Sequence, residues 1–160
     1  MHERTLLLSV KPKFAAKLLR GEKTVELRRV RPRRIEPGDV VLLYATAPLT
    51  LFVGFCRVAE VLQDSPAALW PKVERSAGVT RAEYFRYFGA AGRAIGIVIE
   101  RPVRLSDDFS LEDSRRYVPD FRPPQSFRYF SSLDEELRDA LSDAMHRAGP
   151  NYREARRASM

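Results

Sequence analysis

Gly21-Glu22-Lys23-Thr24-Val25-Glu26-Leu27-Arg28-Arg29 is the stretch on which the reading of this chain turns. Glycine has no Cβ and readily takes the left-handed backbone that ends a helix. Gly21 follows a run that reads as one. From Lys23 to Arg28 the pattern alternates, with Val25 and Leu27 on one side and Thr24, Glu26 and Arg28 on the other. That is the period of a half-buried strand. The polar side of the strand carries a hydroxyl, a carboxylate and a guanidinium in a row. Two readings of it stand. It is either an exposed Glu26–Arg28 pair of little energetic value, or a preorganised polar site in which Glu26 orients Arg28 or Lys23.

Working back from Gly21, Lys13-Phe14-Ala15-Ala16-Lys17-Leu18-Leu19-Arg20 fits a helix. Pro12 opens it, because the first helical position needs no N–H partner. Phe14 and Leu18 share one face, and Lys13, Lys17 and Arg20 form a basic stripe on another. That stripe reads equally as a solvated face. Thr5 to Val10 is an apolar run without helical period, taken as the first buried strand.

Working forward, Arg29, Arg31, Arg33 and Arg34 crowd a loop that self-repels unless anions are near. Pro37-Gly38-Asp39 is a turn signal. Val40 to Ala45 is a buried strand with Tyr44 near its end. Leu51 to Leu62 is a long strand, and Gly54 inside it marks a bulge or corner. Ser65 and Pro66 start a helix that ends by Gly78, and Thr80-Arg81-Ala82-Glu83 is a capping-box pattern before a second. That helix carries Tyr84, Phe85, Tyr87 and Phe88, an aromatic stripe that reads either as core packing or as a surface for stacking bases. Arg93 to Leu105 is another strand. Residues 106–120 read as acidic and irregular, and Phe121 to Phe130 as extended around Pro123-Pro124. If this segment follows the rim of the sheet, Ser126, Arg128 and Tyr129 reach a ligand there. Ser132-Leu133-Asp134-Glu135 caps a last amphipathic helix, which Gly149-Pro150 ends.

The 160 residues carry a net charge of +7. Residues 1–38 hold eleven Lys/Arg against four Asp/Glu, and the remainder holds seventeen of each, so the whole excess lies in the first quarter. A local excess of this kind marks a face that attracts phosphates. The single cysteine, Cys56, excludes an internal disulfide framework and reads as a buried structural thiol. No apolar run approaches the ~20 residues of a membrane span. The short N-terminal run is too small for a signal peptide, so the expected location is cytoplasmic, with no membrane partner. His2 and His146 are the only histidines. They support neither a Ser-His-Asp arrangement nor a metal site, and no glycine-rich phosphate loop follows a strand. No cofactor is expected.

Strand, basic helix, Gly-x-Lys-x-x-Glu-x-Arg (Gly21, Lys23, Glu26, Arg28), Pro-Gly-Asp, then strands around a helical insert: this order resembles the ASCH domain family of the PUA-like superfamily. Ser9-Val10-Lys11-Pro12 precedes the motif, and the likeness covers residues 5–104. The resemblance implies an α+β fold. Its core would be a small mixed β-barrel with a helix after the first strand, a helical insert and a C-terminal helix. It also implies a cleft between the first helix and the barrel that handles RNA or a modified nucleotide, faced by Lys23, Glu26 and Arg28. Some relatives resemble amidohydrolases acting on N4-acetylcytidine through a Lys, a Thr and a Glu; others look like ribonucleases. Here Lys23 is kept, Glu26 occupies the position of the threonine, Thr24 lies two residues earlier, and the third residue falls near Glu74.

The expected organisation is one domain over residues 1–150, with 105–150 as a C-terminal extension and 151–160 as a flexible polar tail. The expected function is nucleic-acid binding, RNA foremost, through a basic cleft. Its contact residues would be Lys11, Lys13, Lys17, Lys23, Glu26, Arg28, Arg29, Arg31, Arg33, Arg34, Tyr44, Ser126, Arg128 and Tyr129. The alternatives are an enzyme acting on RNA or an acylated nucleoside, with Lys23, Thr24 and Glu26 as catalytic candidates, and a protein-interaction module. Lys23 would serve as a base only with a lowered pKa. Arg28 and Arg29 push it down and Glu26 pushes it up, and the sequence does not decide the sign.

Overall fold

In the computed structural model, residues 4–148 are described; the tail expected over 151–160 lies outside them. Six strands form one mixed sheet: β1 (Thr5–Val10), β2 (Val25–Arg28), β3 (Val40–Ala45), β4 (Leu51–Asp64), β5 (Ala94–Ser110) and β6 (Phe127–Tyr129). Their spatial order is β2-β5-β4-β3-β1-β6. Only β1 and β3 run parallel, and every other pairing is antiparallel. Five α-helices accompany the sheet: α1 (Pro12–Arg20), α2 (Pro66–Val73), α3 (Arg81–Phe88), α4 (Leu111–Tyr117) and α5 (Glu135–Arg147). The fold is α+β, as expected, and the sheet is a curled half-barrel with β2 and β6 as its two edges.

β1 and β3 read as continuous apolar runs because both faces of the sheet are covered. Leu6, Leu8 and Val10 join Val41, Leu43 and Ala45 in a core closed by Ala15 and Leu18 of α1. Leu7 joins Leu42, Tyr44 and Phe52 in a second core, closed by Leu137 and Leu141 of α5. A third cluster sets Val25 and Leu27 of β2 against Trp70, Val73, Tyr84 and Phe88 of α2 and α3. Val25 and Leu27 therefore anchor the helical insert. Glu26 and Arg28 face the opposite way, and β2 is buried along most of its length instead of half-exposed.

Gly21 has φ +75° and ends α1. At Gly54 the β4 register shifts, as the bulge reading expects. The cause is close approach: a Cβ there would stand 2.4 Å from Leu19 Cδ2 and 2.5 Å from the Val103 carbonyl oxygen. Cys56 is buried and unpaired, as expected, and burial pushes its thiol pKa up.

Two assignments change. Residues 106–120 are not irregular: β5 continues to Ser110 and α4 follows at once. Ser110 Oγ accepts from the Asp113 N–H, and the Ser110 N–H donates to Asp113 Oδ2. Asp113 thus closes a capping box, and Glu112 beside it adds negative charge in the first turn that complements the helix dipole. The last helix starts differently as well. Ser131 and Asp134 form the capping box of a 3-10 turn over Ser132–Asp134, which leads into α5.

Candidate nucleic-acid interface

The polar side of β2 meets the start of α1 at two adjoining pockets. The larger, about 510 Å3, is lined by Lys11, Lys13 and Phe14 of the α1 end, by Lys23, Glu26 and Leu27, and by Val79, Glu83, Tyr84, Arg86 and Tyr87 of the insert. The smaller, about 330 Å3, adds Ser9, Val10, Arg28, Thr46 and Gln125. Lys11, Phe14, Glu26, Leu27 and Tyr87 border both. The cleft thus lies between the first helix and the sheet, and α3 supplies its third wall.

Lys23 is almost wholly buried, 2% exposed. Its Nζ donates to the Ala77 carbonyl and lies 5.2 Å from the centre of the Phe14 ring. Gly78 gives its stem room, with the position of an added Cβ only 3.1 Å from Lys23 Cβ. Burial pulls the Lys23 ammonium below its ordinary pKa; Glu26 pulls it up, and Arg28 and Lys17 pull it further down. The net direction is downward, because the desolvation of a buried ammonium outweighs one carboxylate that is not in contact with it.

Glu26 is 6% exposed. Its Oε1 accepts from the Leu27 N–H at 3.1 Å and lies 3.9 Å from Arg28 Nη2. Its Oε2 is buried without a hydrogen-bond partner. Arg28 bridges the open side of the half-barrel. Nη1 donates to Ser126 Oγ at 2.9 Å and Nη2 to the Ser9 carbonyl at 2.9 Å. The segment holding Ser126 is itself fastened to β1: the Ser9 N–H donates to the Ser126 carbonyl and Ser9 Oγ to that of Pro124. Arg28 therefore ties β2 to the opposite edge of the sheet, and two of its three nitrogens are engaged within the protein.

The remaining expected contacts divide. Lys11 and Lys13 are exposed at the mouth of the larger pocket. Lys17 lies outside the lining of both, and donates to the Gly78 carbonyl. Arg29 is exposed and sits 4.7 Å over the Tyr87 ring, beside the cleft. Arg31 donates to Gln63, while the Arg33 and Arg34 carbonyls are held by Arg4; all three loop arginines lie outside the pocket lining. Ser126 reaches the site through Arg28.

Tyr44, Arg128 and Tyr129 are elsewhere. The Tyr44 ring is 3% exposed in the second core, 5.2 Å from Phe52, and offers no open face for stacking. Arg128 forms a two-point pair with Asp134 at 2.7 and 3.2 Å. Tyr129 donates to Asp39 at 2.9 Å under the Arg4 guanidinium. Alternation along β6 and its pairing to β1 send these two side chains to opposite faces of the sheet, Tyr129 onto the α1-covered core, and neither lines the pockets. Thr24 is exposed ahead of β2, and Glu74 is exposed at the end of α2. Neither lines the pockets. The Lys-Thr-Glu set of an amidohydrolase is not brought together here.

Phe14 and Tyr87, aromatic members common to both pockets, lie outside the expected contact set. In the sequence Phe14 falls on the apolar face of α1 and Tyr87 within the aromatic stripe of α3. Spacing gives no signal for Tyr87: it stands three residues after Tyr84 and next to Phe88, within the side of α3 that those two turn to the core. Tyr84 and Phe88 are buried while Tyr87 is 37% exposed.

The ASCH domain model matches residues 8–110. An ASCH domain-containing ribonuclease of Zymomonas mobilis is 28% identical over 125 residues, covering 77% of this chain and 82% of that protein. The crystal structure of ASCH from Zymomonas mobilis superposes with TM-score 0.76 at 26% identity, over 86% of this chain and 94% of that one. A point mutant of that protein gives TM-score 0.77 at 24% identity, over 86% and 95%. No helix among the described residues is long and apolar enough to cross a membrane.

Proposed function

This chain belongs to the ASCH domain family, and from that premise we propose that it binds RNA in the cleft between α1, β2 and α3. The observation that carries this reading is the lining itself. Exposed Lys11 and Lys13 stand at a pocket whose walls include Phe14 and Tyr87 and whose depth holds Lys23 and Glu26. Lysines engage phosphates with little sequence preference. Aromatic rings stack on unpaired bases, and a recessed polar group reads a base edge. Paired RNA hides those edges, so the cleft suits unpaired RNA. The Zymomonas mobilis ribonuclease acts on RNA and is related along most of its length, which supports RNA over DNA.

Fluorescence anisotropy of a short labelled single-stranded RNA, titrated at several salt concentrations, tests this. Each phosphate contact contributes roughly 0.7 to the log–log salt slope for a single strand. The Lys11→Ala/Lys13→Ala variant should bind more weakly and lower the slope by about 1.4. An unchanged affinity and slope at native fold would refute the cleft.

A second reading, cleavage of the bound strand, is favoured by the activity of that relative and by Lys23 and Glu26 lining one pocket. Lys23, with its lowered pKa, is poised to give up a proton more readily than an ordinary lysine. RNA fragments that disappear in Lys23→Ala, at unchanged fold, would support it. Intact RNA with the wild-type protein would remove it and leave binding standing.

A further inference from the structure

Resting on the RNA-binding reading, we infer that the cleft selects the base it receives, with Glu26 accepting from an exocyclic amino group and so favouring the amino-bearing bases, adenine, cytosine and guanine, over uracil. Glu26 Oε2 is the observation behind this. It is a buried carboxylate oxygen without a partner, on a residue bordering both pockets. Nearly all buried polar atoms in folded proteins are paired, so an orphan at a pocket wall calls for a reason. Oε1 is held by the Leu27 N–H. The carboxylate's last torsion is soft and two-fold, so a modest turn brings an oxygen to a ligand without breaking the strand.

The surroundings fix which chemistry fits. The carboxylate lies among donors: Arg28 Nη2 at 3.9 Å on the protein side, and the Lys23 ammonium lining the larger pocket with it. A base entering between Phe14 and Tyr87 meets an acceptor deep in the wall. Cytosine and adenine project an amino group with two N–H donors, and carboxylates accept from the cytosine amino group in nucleic-acid complexes. Uracil has a single N–H, recessed between two carbonyl oxygens that would face the carboxylate. A site built to accept a hydrogen bond discriminates strongly against a ligand that leaves it unpaired.

The experiment is an anisotropy competition among single-stranded oligouridines with uridine, cytidine or adenosine at the central position. All carry 2′-fluoro groups, which cannot attack the neighbouring phosphate. Wild type should prefer the cytidine and adenosine oligonucleotides by roughly tenfold. Glu26→Gln, which can offer an N–H to uracil, should compress the ratio to about twofold. Since Glu26→Gln can disturb β2, a ligand-side test runs in parallel on the wild-type protein. Central N4,N4-dimethylcytidine, which has no amino donor, should fall to the uridine level. Equal binding of the three bases, or dimethylcytidine bound like cytidine, would overturn base selection while leaving RNA binding intact. No salt-sensitive binding of any oligonucleotide would overturn both readings. In a cleavage assay on natural RNA, selection by Glu26 makes Glu26→Gln change the ranking of cleaved sequences. A uniform fall in rate would assign Glu26 to catalysis instead, and overturn the inference.

Discussion

Replacing Arg28 with alanine should cost the fold about 3 kcal/mol, and the figure follows from what its guanidinium touches. It makes two hydrogen bonds at 2.9 Å, to Ser126 Oγ and the Ser9 carbonyl, on a side chain 11% exposed. Hydrogen bonds from a charged group contribute roughly 1.5–3 kcal/mol each, so the pair is worth about 4. The weaker 3.4 Å contact to the Ser126 carbonyl is left out, because that oxygen keeps its bond from the Ser9 N–H. Against the loss stands a relief: Arg28 Nε is buried and unpaired, a cost of about 1 kcal/mol that truncation removes. Urea unfolding followed by circular dichroism reads the difference. With a slope of about 2 kcal/mol/M, typical at this size, the midpoint should fall by about 1.5 M. Arg28→Lys should recover under half, since an ammonium cannot serve both acceptors in one fork. Ser126→Ala should cost about 1 kcal/mol alone and little more on top of Arg28→Ala, the non-additivity expected of partners. A midpoint shift under 0.3 M for Arg28→Ala, or full additivity with Ser126→Ala, would refute the clasp.

Three further outcomes are expected. Lys23 has its folded pKa below the ordinary 10.5, so in the window below 10.5 the unfolded chain binds more protons, and stability from this residue rises with pH through that window. The stability of Lys23→Met relative to wild type should therefore be most favourable near neutrality and decline as pH approaches 10.5; a difference that is flat in pH would contradict the burial. Gly54→Ala should lose about 2–3 kcal/mol by overpacking, because the Val103 carbonyl 2.5 Å from the new methyl is backbone and cannot swing aside; a thermal midpoint within a degree or so of wild type, where ~1 kcal/mol should move it by several, would show that the bulge yields. Tyr129→Phe should lose about 1 kcal/mol through its bond to Asp39 and leave RNA affinity unchanged, which separates this end of the sheet from the cleft; a weakened RNA complex at native fold would return Tyr129 to the site.

Local signals explain why the first half of the fold was legible. Pro12, Gly21 and Gly38 each act through their own backbone, and the apolar runs of β1 and β3 are buried by whatever covers them. α4 was hidden because its cap is Ser110–Asp113. Aspartate in place of the glutamate of the usual pattern made an acidic helix start look like irregular chain. The site was legible in part for a different reason. Glu26 and Arg28 could be placed on one strand face, but the wall opposite them comes from α3, some sixty residues later, and no short-range period announces that Tyr87 lines the same pockets as Phe14.

The charge count shows most clearly where sequence reasoning stops. The excess of +7 over residues 1–38 predicts a basic face, yet much of it is committed to the protein's own carbonyls. Arg4 holds Arg33 and Arg34, Lys17 holds Gly78, Lys23 holds Ala77 and Arg28 holds Ser9. These groups stabilise a curled, open-edged sheet whose β2 edge has no neighbouring strand beyond it, and each satisfies a carbonyl that the topology exposes. What remains at the cleft mouth is Lys11 and Lys13, with Arg29 beside Tyr87. With exposed Arg86 of the α3 wall added, salt dependence of RNA binding should accordingly report three or four phosphate contacts, a log–log slope of about 2–3, and not the seven that the net charge invites. A measured slope of ~4 or more would mean that the loop arginines Arg31, Arg33 and Arg34 join the interface after all.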